Sequence, residues 1–343
     1  MVNEKIRHLF SGSNTCAGFM GFFEELRFRA RRTVILKGGP GVGKSTLMKE
    51  AGKHFEQMDQ PVIYYHCSGD PDSLDAMLAP ESGFLMLDGT APHIIDPRLP
   101  GARDCILNLG VCLNEKQLEN QQIPLEKLFA DISAAYSRAY RYLAAAKSLR
   151  NDAAAVYDAA FSKQSRRKLE NELSSLAPAT PAGNTLHAFA QAITCQGVVQ
   201  QIDSILTDSV YCLDIPWAFD AHALLLPLLN DAQKEGLASS VYHDPLDAGC
   251  LSHLALGPVL FTTAIVPGAP VLSPDLDESL LRREAPRLAF DRAVYDLTLN
   301  QAIDALADAK ALHDTLERYY IDAMDFARLS AIKQELMETL PRE

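Results

Sequence analysis

Short apolar runs bounded by polar turns alternate along this chain with longer amphipathic stretches. Thr33-Val34-Ile35-Leu36, Val62-Ile63-Tyr64-Tyr65-His66 and Phe84-Leu85-Met86-Leu87 are continuous rather than alternating, the pattern of strands buried on both faces of a parallel sheet. Residues 17–29 and 44–58 read as helices. Asp70-Pro71-Asp72 reads as the capped start of another, since the donor that proline lacks has no partner in a first turn anyway. Further on, Leu125, Leu128, Phe129, Ile132, Tyr136 and Leu143 recur at helical steps, as do Ala302, Ala305, Leu306, Ala309, Leu312, Leu316 and Tyr319. Ser273-Pro274-Asp275 reads as the cap of a short helix before the second series. These helices are expected to cover the sheet of their own half.

The strand at 33–36 delivers Gly38-Gly39-Pro40-Gly41-Val42-Gly43-Lys44-Ser45-Thr46, which fits G-x-x-x-x-G-K-[ST]. The chemistry explains the spacing. Glycines let consecutive backbone N–H groups turn inward around phosphates, and the helix opening at Lys44 adds its positive dipole end. Lys44 is then placed for the β- and γ-phosphates, Ser45 for Mg²⁺, and Thr46 for the α-phosphate side. Asp88, closing the strand 84–87, suits a second Mg²⁺ carboxylate. Gly89 follows it, where many ATPases carry a Glu that orients water, which predicts slow turnover. Thr90, His93 and Asp96 are the nearby candidates for that role. Asp70, Asp72 and Asp75, beside His66 and Cys67, read as helix-capping acids rather than as a metal cluster.

The pattern also repeats. His8-Leu9-Phe10 and Thr15-Cys16-Ala17-Gly18 recur as His187-Ala188-Phe189 and Thr194-Cys195-Gln196-Gly197. Tyr65-His66, Asp70, Leu74 and Phe84 are matched by Tyr242-His243, Asp247, Leu251 and Phe261. Leu143-Ala144, Ala146-Lys147 and Tyr157 are matched by Leu306-Ala307, Ala309-Lys310 and Tyr320. Between the copies, residues 174–184 collect Pro178, Pro181 and Gly183, which is linker chemistry. The expected fold is α/β: two tandem P-loop NTPase-like units with mainly parallel sheets, residues 1–178 and 179–343, each followed by a helical hairpin.

The second copy loses the chemistry. Aligning Pro40 with Pro216 sets Trp217 opposite Gly41, Asp220 opposite Lys44 and Ala221 opposite Ser45, and Ile265 falls opposite Asp88. Bulky rings and a carboxylate would exclude an anion there. Such a half could still act as a scaffold, and Arg282, Arg283 or Arg287 is a candidate arginine finger for the first half.

A net charge of −12 with pI about 5.2 argues against a broad nucleic-acid footprint. The basic strip 27–32 reads as a solvated helix end. No apolar run reaches the roughly 18–20 residues of a membrane helix. The chain starts without the apolar segment of a signal peptide. The seven cysteines, none in C-x-x-C spacing, suit a reducing cytoplasm.

Taken together, His8-Leu9-Phe10, Gly38 to Thr46, Tyr65-His66-Cys67, the stretch Asp70 to Asp75 and Asp88-Gly89-Thr90-Ala91-Pro92-His93 resemble a poorly characterised family of bacterial, mainly Firmicute, ATP-binding proteins built from two P-loop-like halves. The resemblance implies ATP binding and a cytoplasmic location. The expected activity is binding and slow Mg²⁺-dependent hydrolysis of ATP or GTP by the first half, with Lys44, Asp88 and His93 as catalytic candidates. A small-molecule kinase using Asp96 or His93 as base, and a non-hydrolysing nucleotide sensor, are the alternatives. The helical hairpins are candidate surfaces for a protein partner.

Overall fold

The computed structural model describes residues 5–178 and 181–341. The first half runs β1 (Ile6–Phe10), β2 (Gly12–Thr15), β3 (Gly18–Gly21), α1 (Phe23–Phe28), β4 (Arg32–Lys37), α2 (Lys44–Gln57), β5 (Val62–His66), β6 (Leu74–Ala79), β7 (Phe84–Asp88), β8 (Asp104–Asn108), α3 (Glu115–Glu119), α4 (Gln122–Ala160) and α5 (Lys163–Leu176). The second runs β9 (Thr185–Ala188), β10 (Gln191–Thr194), β11 (Gly197–Gln200), β12 (Ser209–Leu213), α6 (His222–Lys234), β13 (Ser239–His243), β14 (Leu251–Leu256), β15 (Val259–Thr262), β16 (Val271–Leu272), α7 (Glu278–Asp322) and α8 (Phe326–Glu338).

Each half builds a six-stranded sheet, and the two have the same topology. The orders are β1-β5-β6-β7-β4-β8 and β9-β13-β14-β15-β12-β16, with β6 and β14 antiparallel to their neighbours and every other pairing parallel. Small hairpins, β2-β3 and β10-β11, sit beside them. The halves meet at matched positions: Phe10 and Phe189 exchange reciprocal N–H···O bonds of 2.9 Å, joining the edges of β1 and β9. This contact occupies edge groups that would otherwise be free to recruit another strand. One apolar core runs through it, from Leu9, Ile63 and Tyr65 to Leu186, Ala188 and Tyr242.

Several sequence expectations give way here. Residues 17–29 divide into β3 and the short α1, because Gly18 at φ 102° makes a hairpin turn. Asp70-Pro71-Asp72 leads into strand β6, not a helix, and all of Leu74–Ala79 is buried. Residues 273–277 are irregular, and Asp277 caps the long α7 directly. Arg27 is buried against Asp104 at 2.8 Å rather than solvated.

Helices α2 and α6 cover their own sheets, but α5 and α8 do not. Helix α5 places Leu169 and Leu173 in the core of the second half, and α8 places Leu329, Leu336 and Leu340's neighbourhood in the core of the first. Helices α4 and α7 lie antiparallel, with Arg138 facing Asp308 and Arg287 facing Asp152. They meet through Ala139, Leu143 and Ala146 on one and Ala302, Ala305 and Leu306 on the other. Small alanines at those crossing positions allow close approach of the two backbones. No helix among the described residues is long and apolar enough to cross a membrane.

Candidate functional site

Strand β4 ends against Asp88, since Leu36 and Asp88 are direct partners in the parallel β4-β7 ladder. The loop that follows uses left-handed backbone at Gly41 (φ 69°) and Gly43 (φ 87°), with Gly38 at φ 149°. Side chains rarely adopt such angles, so this path requires glycine. Val42 is buried and anchors the loop beneath. Helix α2 then starts at Lys44 with no side-chain cap and no acidic residue in its first turn. Its N–H groups and dipole remain available to an anion.

Lys44 turns back over the loop, its Nζ donating to the Gly38 and Gly39 carbonyls at 3.1 and 2.9 Å and lying 3.5 Å from Asp88 Oδ2. Asp88 Oδ1 accepts from the Thr90 N–H and hydroxyl at 2.9 and 2.6 Å. Ser45 Oγ accepts from the Leu74 N–H at 3.0 Å. Thr46 is exposed on the helix surface, and Pro40 is half-buried in the loop. Hard oxygen donors on Ser45 and Asp88, with a lysine between the loop and Asp88, fit an octahedral cation such as Mg²⁺.

The other three candidates separate. Asp96 is exposed and pairs with Lys37 at 3.3 Å, and Thr90 is committed to Asp88. His93 is buried instead, stacked on Phe23 with centroids 4.3 Å apart and with its Nε2 3.9 Å from Asp75 Oδ1. Asp75 had no role in the sequence expectations beyond capping. The signal was present as the only charge in the apolar run Leu74–Ala79. Burial raises its carboxyl, Asp88 reinforces the shift, and His93 and Lys44 oppose it. Burial and the neighbouring Asp75 also push the Cys67 thiol well up, so it is no thiolate nucleophile. The loop carrying His93 is pinned at its far end by Asp104. Burial works against ionisation there, yet bonds from Arg103, from the Leu99 and Arg98 N–H groups and from Arg27 hold that carboxyl far below its usual range.

The roof of the loop comes from the second half. A side chain at Gly39 would strike the Tyr320 ring at 2.6 Å, and one at Gly41 would meet Ile321 and Glu317 at 3.0–3.4 Å. Lys310, also on α7, faces Asp70 at 3.6 Å. The arrangement is reciprocal: α4 sets Lys147 on Asp247 at 2.5 Å and Arg150 on Asp244 at 2.8 Å over the second half's loop. Arg287 lies on α7 roughly 50 Å from Tyr320 at 1.5 Å per residue, and it is held by Asp152. Arg282 and Arg283 are farther still, paired with Glu278 and Glu284. The arginine-finger expectation is therefore withdrawn.

Sheet register also corrects the internal alignment. Leu36 pairs with Asp88 and Leu213's strand neighbour Cys212 pairs with Thr262, while Ser209 and Arg32 both open their ladders, on Val259 and Phe84. Phe84 thus corresponds to Val259 rather than Phe261, and Asp88 to Thr263 rather than Ile265. Leu251 N–H meets His222 Nδ1 at 3.4 Å as Leu74 N–H meets Ser45, so His222 stands for Ser45, Ala221 for Lys44 and Asp220 for Gly43. Asp220 Oδ1 accepts from the Ala223 N–H at 3.3 Å, a carboxylate at the helix start that α2 leaves open. Beside it is a cavity of about 310 Å³ lined by Arg150, Asn151, Trp217, Asp244 and Thr263.

No family model, curated protein or solved structure matches the chain.

Proposed function

We propose that the first half binds ATP or GTP with Mg²⁺ on residues 38–46 and hydrolyses it slowly, and that the second half is a pseudo-NTPase that scaffolds or regulates it. The observation that carries this reading is the glycine-built loop in front of an uncapped helix, with Lys44 held inside it beside Asp88. Backbone N–H groups and the α2 dipole would hold the phosphates, and Lys44 would exchange its two carbonyl partners for phosphate oxygens. Mg²⁺, held by Ser45 and Asp88, would neutralise charge developing on the γ-phosphate. The resemblance to two-unit bacterial ATP-binding proteins points the same way, and the free thiols suit a cytoplasmic setting.

The test is calorimetric titration of MgATP and MgGTP into wild type and Lys44→Ala, with phosphate release followed in parallel. Loss of a charged partner costs about 2–5 kcal/mol, or a Kd raised roughly 30-fold or more. Equal affinity of the two proteins would overturn the reading. Lys44-dependent binding without phosphate release would favour a kinase awaiting its acceptor, or a nucleotide sensor.

A further inference from the structure

We propose that Asp75, with the His93 ring 3.9 Å from its carboxylate, aligns the water that attacks the γ-phosphate and accepts its proton; the assignment rests on the nucleotide reading of the first half. It supplies the acceptor that Gly89, in the position after Asp88, cannot provide.

Asp75 occupies the right place. The antiparallel β6-β7 ladder ends with Ala76 opposite Leu87, one residue short of Asp75 and Asp88, and the two carboxylates lie within electrostatic reach of each other. The preceding residue, Leu74, is bonded through its N–H to Ser45. Asp75 therefore lies near Asp88 and next to the residue bonded to Ser45, within electrostatic reach of Lys44.

One of its carboxylate oxygens is also unspent, the Cys67 thiol being the other polar neighbour. Asp75 Oδ2 and both ring nitrogens of His93 are buried without a hydrogen-bond partner, in side chains only 6% and 7% exposed. Burying such groups unpaired costs stability that packing alone does not return. The second half shows that the sheet closes without them. Met77 and Leu254 occupy matching ladder positions, which puts Ser252 in place of Asp75. The connection carrying His93, residues 89–103, is shortened there to 263–270. The carboxylate and histidine are thus confined to the half that keeps Lys44, Ser45 and Asp88.

In the step itself, the water oxygen forms a bond to the γ-phosphorus while one water proton passes to the Asp75 carboxylate. The bond from that phosphorus to the β–γ bridging oxygen breaks, and its electron pair leaves on the nucleoside diphosphate. Orthophosphate is the other product.

Asp75→Asn keeps the volume and removes the proton acceptor, so kcat should fall about 100-fold or more while the MgATP Kd stays within about twofold of wild type. Asp75→Ser, the residue the second half carries there, provides a second variant should the amide destabilise the strand. His93→Gln should lower kcat less, with Kd again unchanged. Wild-type turnover in both Asp75 variants would overturn the assignment, as would loss of nucleotide affinity in both, since that marks a binding or structural role. Unchanged kcat in His93→Gln would remove the histidine from it. If nucleotide affinity does not depend on Lys44, the nucleotide reading fails first, so the two failures are distinguishable.

Discussion

The loops at 38–45 and 215–222 occupy the same position in two sheets of identical topology, and they differ in what they leave open. The first is glycine-built, begins its helix uncapped and keeps a lysine inside. The second replaces Gly43 by Asp220, whose carboxylate bonds to the helix start, and replaces Lys44 by Ala221. A helix N-terminus carries partial positive charge that some anion must answer. The second half answers it from within its own chain, and the first leaves it unanswered. The roofs differ in the same direction. Lys147 and Arg150 clamp α4 onto Asp247 and Asp244 at 2.5 and 2.8 Å, whereas Lys310 reaches Asp70 at 3.6 Å and His313 and Cys67 stand where the second pair would be. The cover of the first loop has one long ion pair where that of the second has two short ones.

The crossing of the helices carries the largest expected effects. Leu329→Ala, on α8, should cost about 2–4 kcal/mol and speed hydrogen exchange in the first sheet, and Leu169→Ala, on α5, should do the same to the second. Exchange rising in the sheet of the mutated helix's own half would break the comparison.

Acid should separate the halves next. His253 is fully buried and its pKa is lowered to about 3 by burial, while its counterpart in the first half is Ala76. The folded state holds it neutral and the unfolded chain protonates it near 6.5, so stability is intact above pH 6.5 and falls as pH drops from there towards 3. Thermal melts should show this slope reduced in His253→Gln, with the second sheet losing protection first in wild type.

A smaller effect sharpens the contrast between the covers. Gly39→Ala drives a methyl group into Tyr320 and should cost about 1–3 kcal/mol. Tyr320→Ala should relieve most of that cost, and a double-mutant cycle of melting curves measures the coupling. Additive effects would detach α7 from the loop. Smallest of all, Asp220→Ala should lower stability by about 0.5 kcal/mol through loss of its bond to the Ala223 N–H at the start of α6, seen as a small shift in denaturant midpoint.

Much of the first half was legible because its signals are local. The loop motif placed β4 and α2 almost to the residue, and continuous apolar runs located β5 and β7. The duplication was also visible, from the histidines and the Thr-Cys-x-Gly turns. Errors arose where one pattern serves two structures. Asp70-Pro71-Asp72 has the chemistry of a helix cap, but it makes a turn into a strand whose complete burial erases any alternation. Pro216 invited alignment with Pro40, and only the ladder partners of β12 show that Trp217 takes that position. The amphipathic stripe of α7 announced a buried face without naming the partner. Its alanines pack on α4, and its end reaches the opposite half. Asp75 has the pattern of a capping acid only if its strand is a helix, and β6 is not one.

The crossing also sets a timetable. Lys44 and its loop leave the ribosome early, whereas Tyr320, Ile321 and Leu329 follow only after the whole second half has been made. At about 5–20 residues per second, the loop waits roughly 15–55 s for its roof. During that interval the loop is bare, and the first sheet lacks the leucines that α8 adds to its core.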